Sequence, residues 1–351
     1  MVKAASLAAP QEGYPALLVE KLSRGRVRCH TCLRRCLIPP GGRGWCHTRE
    51  NRHGVLYSLI YGRVASLSLN PIEKKPVFHF LPGSRWLSLG SLGCNFRCPG
   101  CQNWELAHAD LDRKLQYTQY LSPEELVTLA VRQGAAGISW TFNEPALWLE
   151  YILDTAPLAR QAGLFTNIVT NGALTPEALD ALGPHLDVYR VDIKGYRPQT
   201  YEVLAQLKEP EAIREAAVRA RRRWGMWVEV VTNLIPGIND DDATLKSIAA
   251  WMVADLSPST PWHLTRFHPA YHLHNLAATP VPRLEAAYQL ARAAGVPFAY
   301  LGNVPGHPWE NTFCPGCGRE IISRDIFTIT AMRLIGGVCP ACGAPVSGVW
   351  R

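Results

Sequence analysis

Residues 86–104 read W-L-S-L-G-S-L-G-C-N-F-R-C-P-G-C-Q-N-W, an apolar run that ends in three cysteines, Cys94, Cys98 and Cys101. The run from Trp86 to Leu92 predicts a strand, and C-x3-C-x2-C on the loop beyond it can hold three corners of a [4Fe-4S] cube. A cluster that only carries electrons is normally held by four Cys. Three therefore imply an iron left open for a chelating substrate or cofactor. The competing reading is a zinc knuckle made from Cys98 and Cys101, with Cys94 incidental.

The apolar run is the first of seven. Ala136 to Phe142, Leu164 to Thr170, Val188 to Ile193, Met226 to Asn233, Trp262 to Phe267 and Pro297 to Leu301 follow it, separated by amphipathic segments. Ser122-Pro123-Glu124-Glu125 reads as a capping box with Pro at the first helical position, and Thr175-Pro176-Glu177 repeats the cap and Pro. Such alternation predicts parallel βα units, and six or seven of them favour a partial (β/α)6 TIM-like barrel. Polar residues gather where the strands end: Cys94, Asn143-Glu144-Pro145, Thr170-Asn171-Gly172, Asp192 with Lys194, Thr232-Asn233, Arg266 with His268, and Asn303. In a βα barrel these ends face one mouth, where catalytic groups converge.

A chain of 351 residues accommodates one large domain plus small appendages, and its 47% hydrophobic and 19% charged content is that of a globular enzyme. No apolar run reaches the roughly 18 residues of a membrane span, and Met1 to Pro10 is too weak for a secretory signal, so a cytoplasmic protein is expected. The net charge of +7 is compatible with anionic substrates or nucleic acid. The Arg219 to Arg223 run, R-A-R-R-R, reads as a solvated helix end, and nucleic acid is not the expected partner.

The eleven cysteines form three groups, which suits metal sites in a reducing compartment better than disulfides. Cys29, Cys32, Cys36 and Cys46 lie in a Pro/Gly-interrupted segment near His30, His47 and His53, whose order should depend on a metal. Four-Cys zinc is the preferred occupant and a second iron-sulfur cluster its rival; spacing does not decide between them. Cys314, Cys317, Cys339 and Cys342 form two C-x2-C knuckles separated by 21 residues that include the β-prone Ile321 to Leu334, a zinc-ribbon pattern. A rubredoxin-like single iron would use the same geometry. The expected modules are a metal-binding segment over 1–60, a core over 61–305 and a ribbon over 306–351.

Gly93-Cys94-Asn95-Phe96-Arg97-Cys98 with Cys101-Gln102-Asn103-Trp104 resembles the radical S-adenosylmethionine (radical SAM) superfamily, in particular its pyruvate formate-lyase activating enzyme branch. The resemblance implies that the methionine amino and carboxylate groups chelate the open iron. It also implies that one electron cleaves SAM to methionine and a 5'-deoxyadenosyl radical that abstracts hydrogen. By the same resemblance Asn143 and Glu144 lie in the motif that receives the methionine amino group, and Asn171 lies in the turn beside ribose or methionine. Asp192 and Lys194 would lie near the methionine end, although their same-face spacing also lets them pair with each other. Glu229 and the Asn233 to Asn239 stretch would underlie the adenine, and His268 is carried over as a late strand-end histidine, a buried histidine satisfied by the backbone being the alternative. Gly100 departs from the pattern, since an aromatic residue usually stands there, leaving the backbone or Phe96 and Trp104 to meet the adenine.

Over nearly its whole length the chain looks like the radical SAM enzymes of the AmmeMemoRadiSam system, a name that does not fix a substrate. The leading expectation is an enzyme holding a [4Fe-4S] cluster and SAM, fed by an external donor such as a flavodoxin or ferredoxin, with an unidentified substrate and unassigned catalytic residues. A glycyl-radical activating enzyme acting on a protein glycine is the second, and a non-catalytic, metal-stabilised RNA-binding protein the third.

Overall fold

The computed structural model describes residues 13–350; the Met1 to Pro10 start falls outside the described residues. The seven apolar runs all form strands, with ends shifted by at most two residues from the expected bounds. The chain divides into two compact units, one comprising Met1–Leu69, Leu87–Phe96 and Asn103–Leu186, the other Asn70–Trp86, Arg97–Gln102 and Asp187–Arg351.

In the first unit the strands Gly137–Trp140 and Phe165–Thr170 pair in parallel, with Gly137 opposite Phe165 and Trp140 opposite Ile168. Both are buried over most of their length, as a sheet covered on both faces requires. The helix Pro123–Arg132 begins as the sequence indicates: the Ser122 hydroxyl accepts from Glu125 N–H at 3.2 Å and the Glu125 carboxylate accepts from Ser122 N–H at 2.8 Å. Thr175 caps the helix Pro176–Leu182 by accepting from Ala178 N–H. The Cys-rich segment carries short strands, including Val19–Lys21, Val27–Cys29, Leu37–Ile38 and Arg49–Arg52, and a 3-10 turn at Ser23–Gly25. Its anchor is Arg49, whose guanidinium donates to both Glu150 oxygens at 2.8 and 2.9 Å, with each side chain 1% exposed.

In the second unit the strands Val188–Asp192, Trp227–Leu234, Trp262–Arg266 and Ala299–Gly302 pair in parallel in that order. The helix Glu211–Trp224 ends in Arg221, Arg222 and Arg223 before Gly225, whose φ of 66° forms the left-handed C-terminal turn. Basic residues there complement the helix dipole, the solvated-end role expected for this run. The ribbon strands Thr312–Phe313, Glu320–Asp325 and Thr328–Met332 form an antiparallel sheet. Their core joins Ile321, Ile322 and Val346 to Phe78, Phe298 and Tyr300. The architecture is thus α/β with parallel strands and a C-terminal Cys cluster, as the pattern of runs predicts.

Candidate active site and metal centres

Cys94 ends a turn that the chain holds from several sides. Asn143 accepts from Ser91 N–H at 3.0 Å and donates through Nδ2 to the carbonyls of Leu92 and Gly93. It therefore positions the approach to Cys94. Gly93 has a φ of +87°, and a Cβ there would meet the Thr48 methyl at 2.4 Å and the Cys46 carbonyl at 3.1 Å. Only glycine fits both the torsion and the space. The Cys94 sulfur accepts from Phe96 N–H at 3.4 Å and from Asn171 Nδ2 at 3.7 Å. N–H donors aimed at a sulfur favour a thiolate, so these surroundings fit a cluster ligand.

Asn171 is positioned by Glu144. The Glu144 carboxylate, 2% exposed, accepts from Ala146 N–H at 2.9 Å, Thr170 Oγ1 at 2.7 Å and Asn171 N–H at 2.8 Å. Asn171 in turn donates to Asn95 Oδ1 at 2.7 Å. The preceding Phe142 has a φ of 72°, unusual for a residue with a side chain. Both Glu144 oxygens are thus engaged with the chain's own donors, and the Thr170-Asn171 turn is held against the cysteine loop.

Within the second unit Cys101 N–H donates to the Cys98 carbonyl at 3.3 Å. Burial pushes the Cys98 thiol up, and the nearby Lys194 ammonium opposes that shift. Asp192 bonds to Arg190 and to Lys194 Nζ, the latter at 3.3 Å. Burial alone would raise the Asp192 carboxyl; Arg190 and then Lys194 hold it below its ordinary value. The two residues expected at the methionine end therefore do pair, and their charge sits in the field of Cys98. Asn233 accepts from Thr265 through Oδ1 and from Asn239 through its carbonyl. Asn239 also accepts from Ile235 N–H and donates to the Lys194 carbonyl, which fixes the N-L-I-P-G-I-N turn.

Three expectations need correcting. Phe96 is 1% exposed and lies in the core, so it cannot stand in for the missing aromatic at Gly100. A Cβ on Gly100 would instead meet Phe267 and Leu273, each at 3.1 Å, and the Pro99 carbonyl accepts from His272 and Leu273 N–H. The apolar surface at this point comes from the segment after the strand Trp262–Arg266, whose signal was the aromatic run R-F-H-P-A-Y-H-L. Glu229 has both carboxylate oxygens engaged by the chain's own donors. Fully buried, it accepts from Phe78 N–H, His79 N–H at 2.8 Å, Trp227 Nε1 at 2.9 Å and His263 Nε2 at 2.7 Å. His268, for which burial was one alternative, is exposed; the buried histidine on this strand is His263, at 1%.

The C-terminal thiols converge as a single ion requires. Cys314, Cys317, Cys339 and Cys342 lie within 4.8 Å of one another, with Cys314 to Cys342 at 3.5 Å and Cys317 to Cys339 at 3.8 Å. Tetrahedral Zn–S bonds of about 2.3 Å place sulfurs about 3.8 Å apart. The N-terminal thiols Cys29, Cys32, Cys36 and Cys46 line one cavity with Thr31, Arg34, Trp45, Arg49 and Asn95. None of His30, His47 or His53 lines it. His30 is engaged with Arg35 and Glu20.

The radical SAM superfamily model matches residues 89–248, which include the three cysteines and every strand-end residue from Cys94 to Asn233. The chain belongs to the radical SAM superfamily. That membership carries SAM-dependent radical chemistry, an enzyme function, and a [4Fe-4S] cluster with SAM as cofactors. The chain is 41% identical over 333 residues to the uncharacterized protein MJ0808 of Methanocaldococcus jannaschii, covering 94% of this chain and 98% of that one, and belongs to the same family. A second uncharacterized protein of that organism, MJ0674, is 25% identical over 51% of this chain and 49% of its own length. Among solved structures, a radical SAM methyltransferase from Sphaerobacter thermophilus superposes with a TM-score of 0.50 at 19% identity, over 63% of this chain and 67% of that one. The likeness is one of fold. Among the described residues no helix is long and apolar enough to cross a membrane.

Proposed function

We propose that this radical SAM protein reductively cleaves SAM to methionine and a 5'-deoxyadenosyl radical that abstracts hydrogen from a substrate still to be identified. The observation that carries the reading is the three-cysteine loop with N–H donors on the Cys94 sulfur and a carboxylate-anchored turn behind it. Cys94, Cys98 and Cys101 would hold three irons, and the bound cluster would supply the electron that breaks the sulfonium bond. Asn143, Glu144 and Asn171 would set the Cys94 turn and face the methionine end. Lys194 and Asp192 would offer a cation and an anion there, Asn233 would shape the turn beneath the adenine, and His268 would lie at the mouth.

The electron would come from an external low-potential protein such as a flavodoxin or ferredoxin in the cytoplasm. The ribbon would hold zinc, and the three modules over 1–60, 61–305 and 306–351 would be those of the AmmeMemoRadiSam enzymes. Anaerobic reconstitution, reduction and addition of SAM test the reading. Deoxyadenosine from the native protein and none from Cys94→Ala, with zinc retained in both, is the expected result. A folded, zinc-loaded protein that takes up no iron and cleaves no SAM would overturn it.

A further inference from the structure

We propose that Cys29, Cys32, Cys36 and Cys46 hold a second [4Fe-4S] cluster in the cavity they line, in preference to a zinc ion. The two four-cysteine groups of this chain differ in geometry. The ribbon thiols gather within 4.8 Å of one another, whereas no three of the N-terminal thiols do so, although all four face the same space. A single ion must draw its ligands to one centre. A cuboidal cluster holds each thiolate on a separate iron corner, which spreads the sulfurs apart.

A second observation points the same way. Arg49 lines the cavity, is 1% exposed, and directs Nη1 and Nη2 at Glu150, while its buried Nε has no hydrogen-bond partner. A buried guanidinium N–H without an acceptor is costly. Beyond its thiolates a cluster presents bridging sulfides as acceptors, and a zinc–thiolate centre has none. The thiols are also dressed as cluster ligands are: Trp45 N–H donates to Cys36 Sγ at 3.4 Å and the Thr48 hydroxyl to Cys46 Sγ at 3.2 Å. The guanidinium of Arg34, a further cavity residue, lies 4.6 Å from the Trp45 ring. Two guanidiniums beside four thiolates offset the net negative charge of the assembly.

With four protein ligands this cluster has no open iron, so it can carry an electron and cannot chelate SAM. It lies against the SAM-cluster loop, since Asn95 lines the cavity next to Cys94 and the Asn95 carbonyl accepts from Arg34 Nε at 3.0 Å.

The test is a metal count, which is independent of SAM cleavage. The native full-length chain, reconstituted anaerobically with iron, sulfide and zinc, is expected to hold about eight irons, eight sulfides and one zinc. Cys94→Ala/Cys98→Ala/Cys101→Ala should keep about four irons and four sulfides, with the electron paramagnetic resonance signal of a reduced [4Fe-4S] cluster. Cys29→Ser/Cys46→Ser should lose that signal from the triple variant while the ribbon keeps its zinc. A triple variant carrying two zincs and no iron overturns the proposal, as does one carrying two irons. A native count of four irons and two zincs overturns it without recourse to any variant. Failure of the SAM-cluster reading would look different, because the triple variant would then hold as much iron as the native chain.

Discussion

Glu144→Gln removes one charge from the group that holds the Thr170-Asn171 turn and leaves its shape unchanged. The Oε1 atom accepts from Ala146 N–H and Thr170 Oγ1, and Oε2 accepts from Asn171 N–H. An amide has one oxygen, so its NH2 group must face either the Asn171 N–H or the other two donors. The milder orientation leaves Asn171 N–H buried against another donor. A charge-assisted bond contributes about 1.5–3 kcal/mol and an orphaned buried donor costs about 1–3 kcal/mol, so a loss of about 2–4 kcal/mol is expected. Because Asn171 Nδ2 reaches Asn95 Oδ1 and the Cys94 sulfur, deoxyadenosine formation should fall with stability. Urea denaturation of the iron-free, zinc-loaded protein measures the loss. Combined with Thr170→Val, the pair should couple by about 1 kcal/mol or more, since both changes act on one bond. A loss below about 0.5 kcal/mol, or strict additivity with Thr170→Val, would refute the network.

Glu150→Ala strands the buried Arg49 charge and should cost about 3–5 kcal/mol in urea denaturation, whereas Arg49→Met/Glu150→Leu, which removes both charges, should cost clearly less. Gly93→Ala must fit a Cβ at a φ of +87° against the Thr48 methyl and should destabilise by about 1–3 kcal/mol while lowering iron retention. Burial pushes the Glu73 carboxyl up to about 7 from 4.5, against the pull of Arg324 and of Gly83 N–H. The folded chain therefore holds that proton longer than the unfolded one. Its stabilisation is complete below about pH 4.5 and lost as pH rises through about 7, a change of up to about 3 kcal/mol. Glu73→Gln should flatten the fall in urea midpoint between pH 5 and 8. Glu310, also raised to about 7 by burial, acts in the same direction and leaves a residual slope. An unchanged slope would show that Glu73 is not its source.

Local pattern determined much of this protein. Apolar runs of strand length, the Ser122 and Thr175 caps with their prolines, and three cysteines on a strand-end loop each act within a few residues, so one chain suffices to read them. The ribbon was legible for the same reason, its ligands coming as two C-x2-C knuckles, each contained within four residues. What the sequence left open were the pairings across long separations. Glu229 reads as a strand residue near a ligand turn, yet folding brings Phe78, His79 and His263 to its carboxylate and makes it an anchor. Phe96, four residues before Gly100, turns into the core, and the surface at Gly100 is supplied by Phe267 and Leu273, more than 160 residues away in sequence. Arg49 and Glu150 are 101 residues apart, and their buried pairing, with the bonds from Thr175 to the His30 carbonyl and from Arg34 to the Asn95 carbonyl, fixes the cysteine-rich segment. Spacing counts residues along the chain, whereas the separation of four sulfurs in space, which distinguishes an ion from a cluster, depends on how the backbone between them is folded.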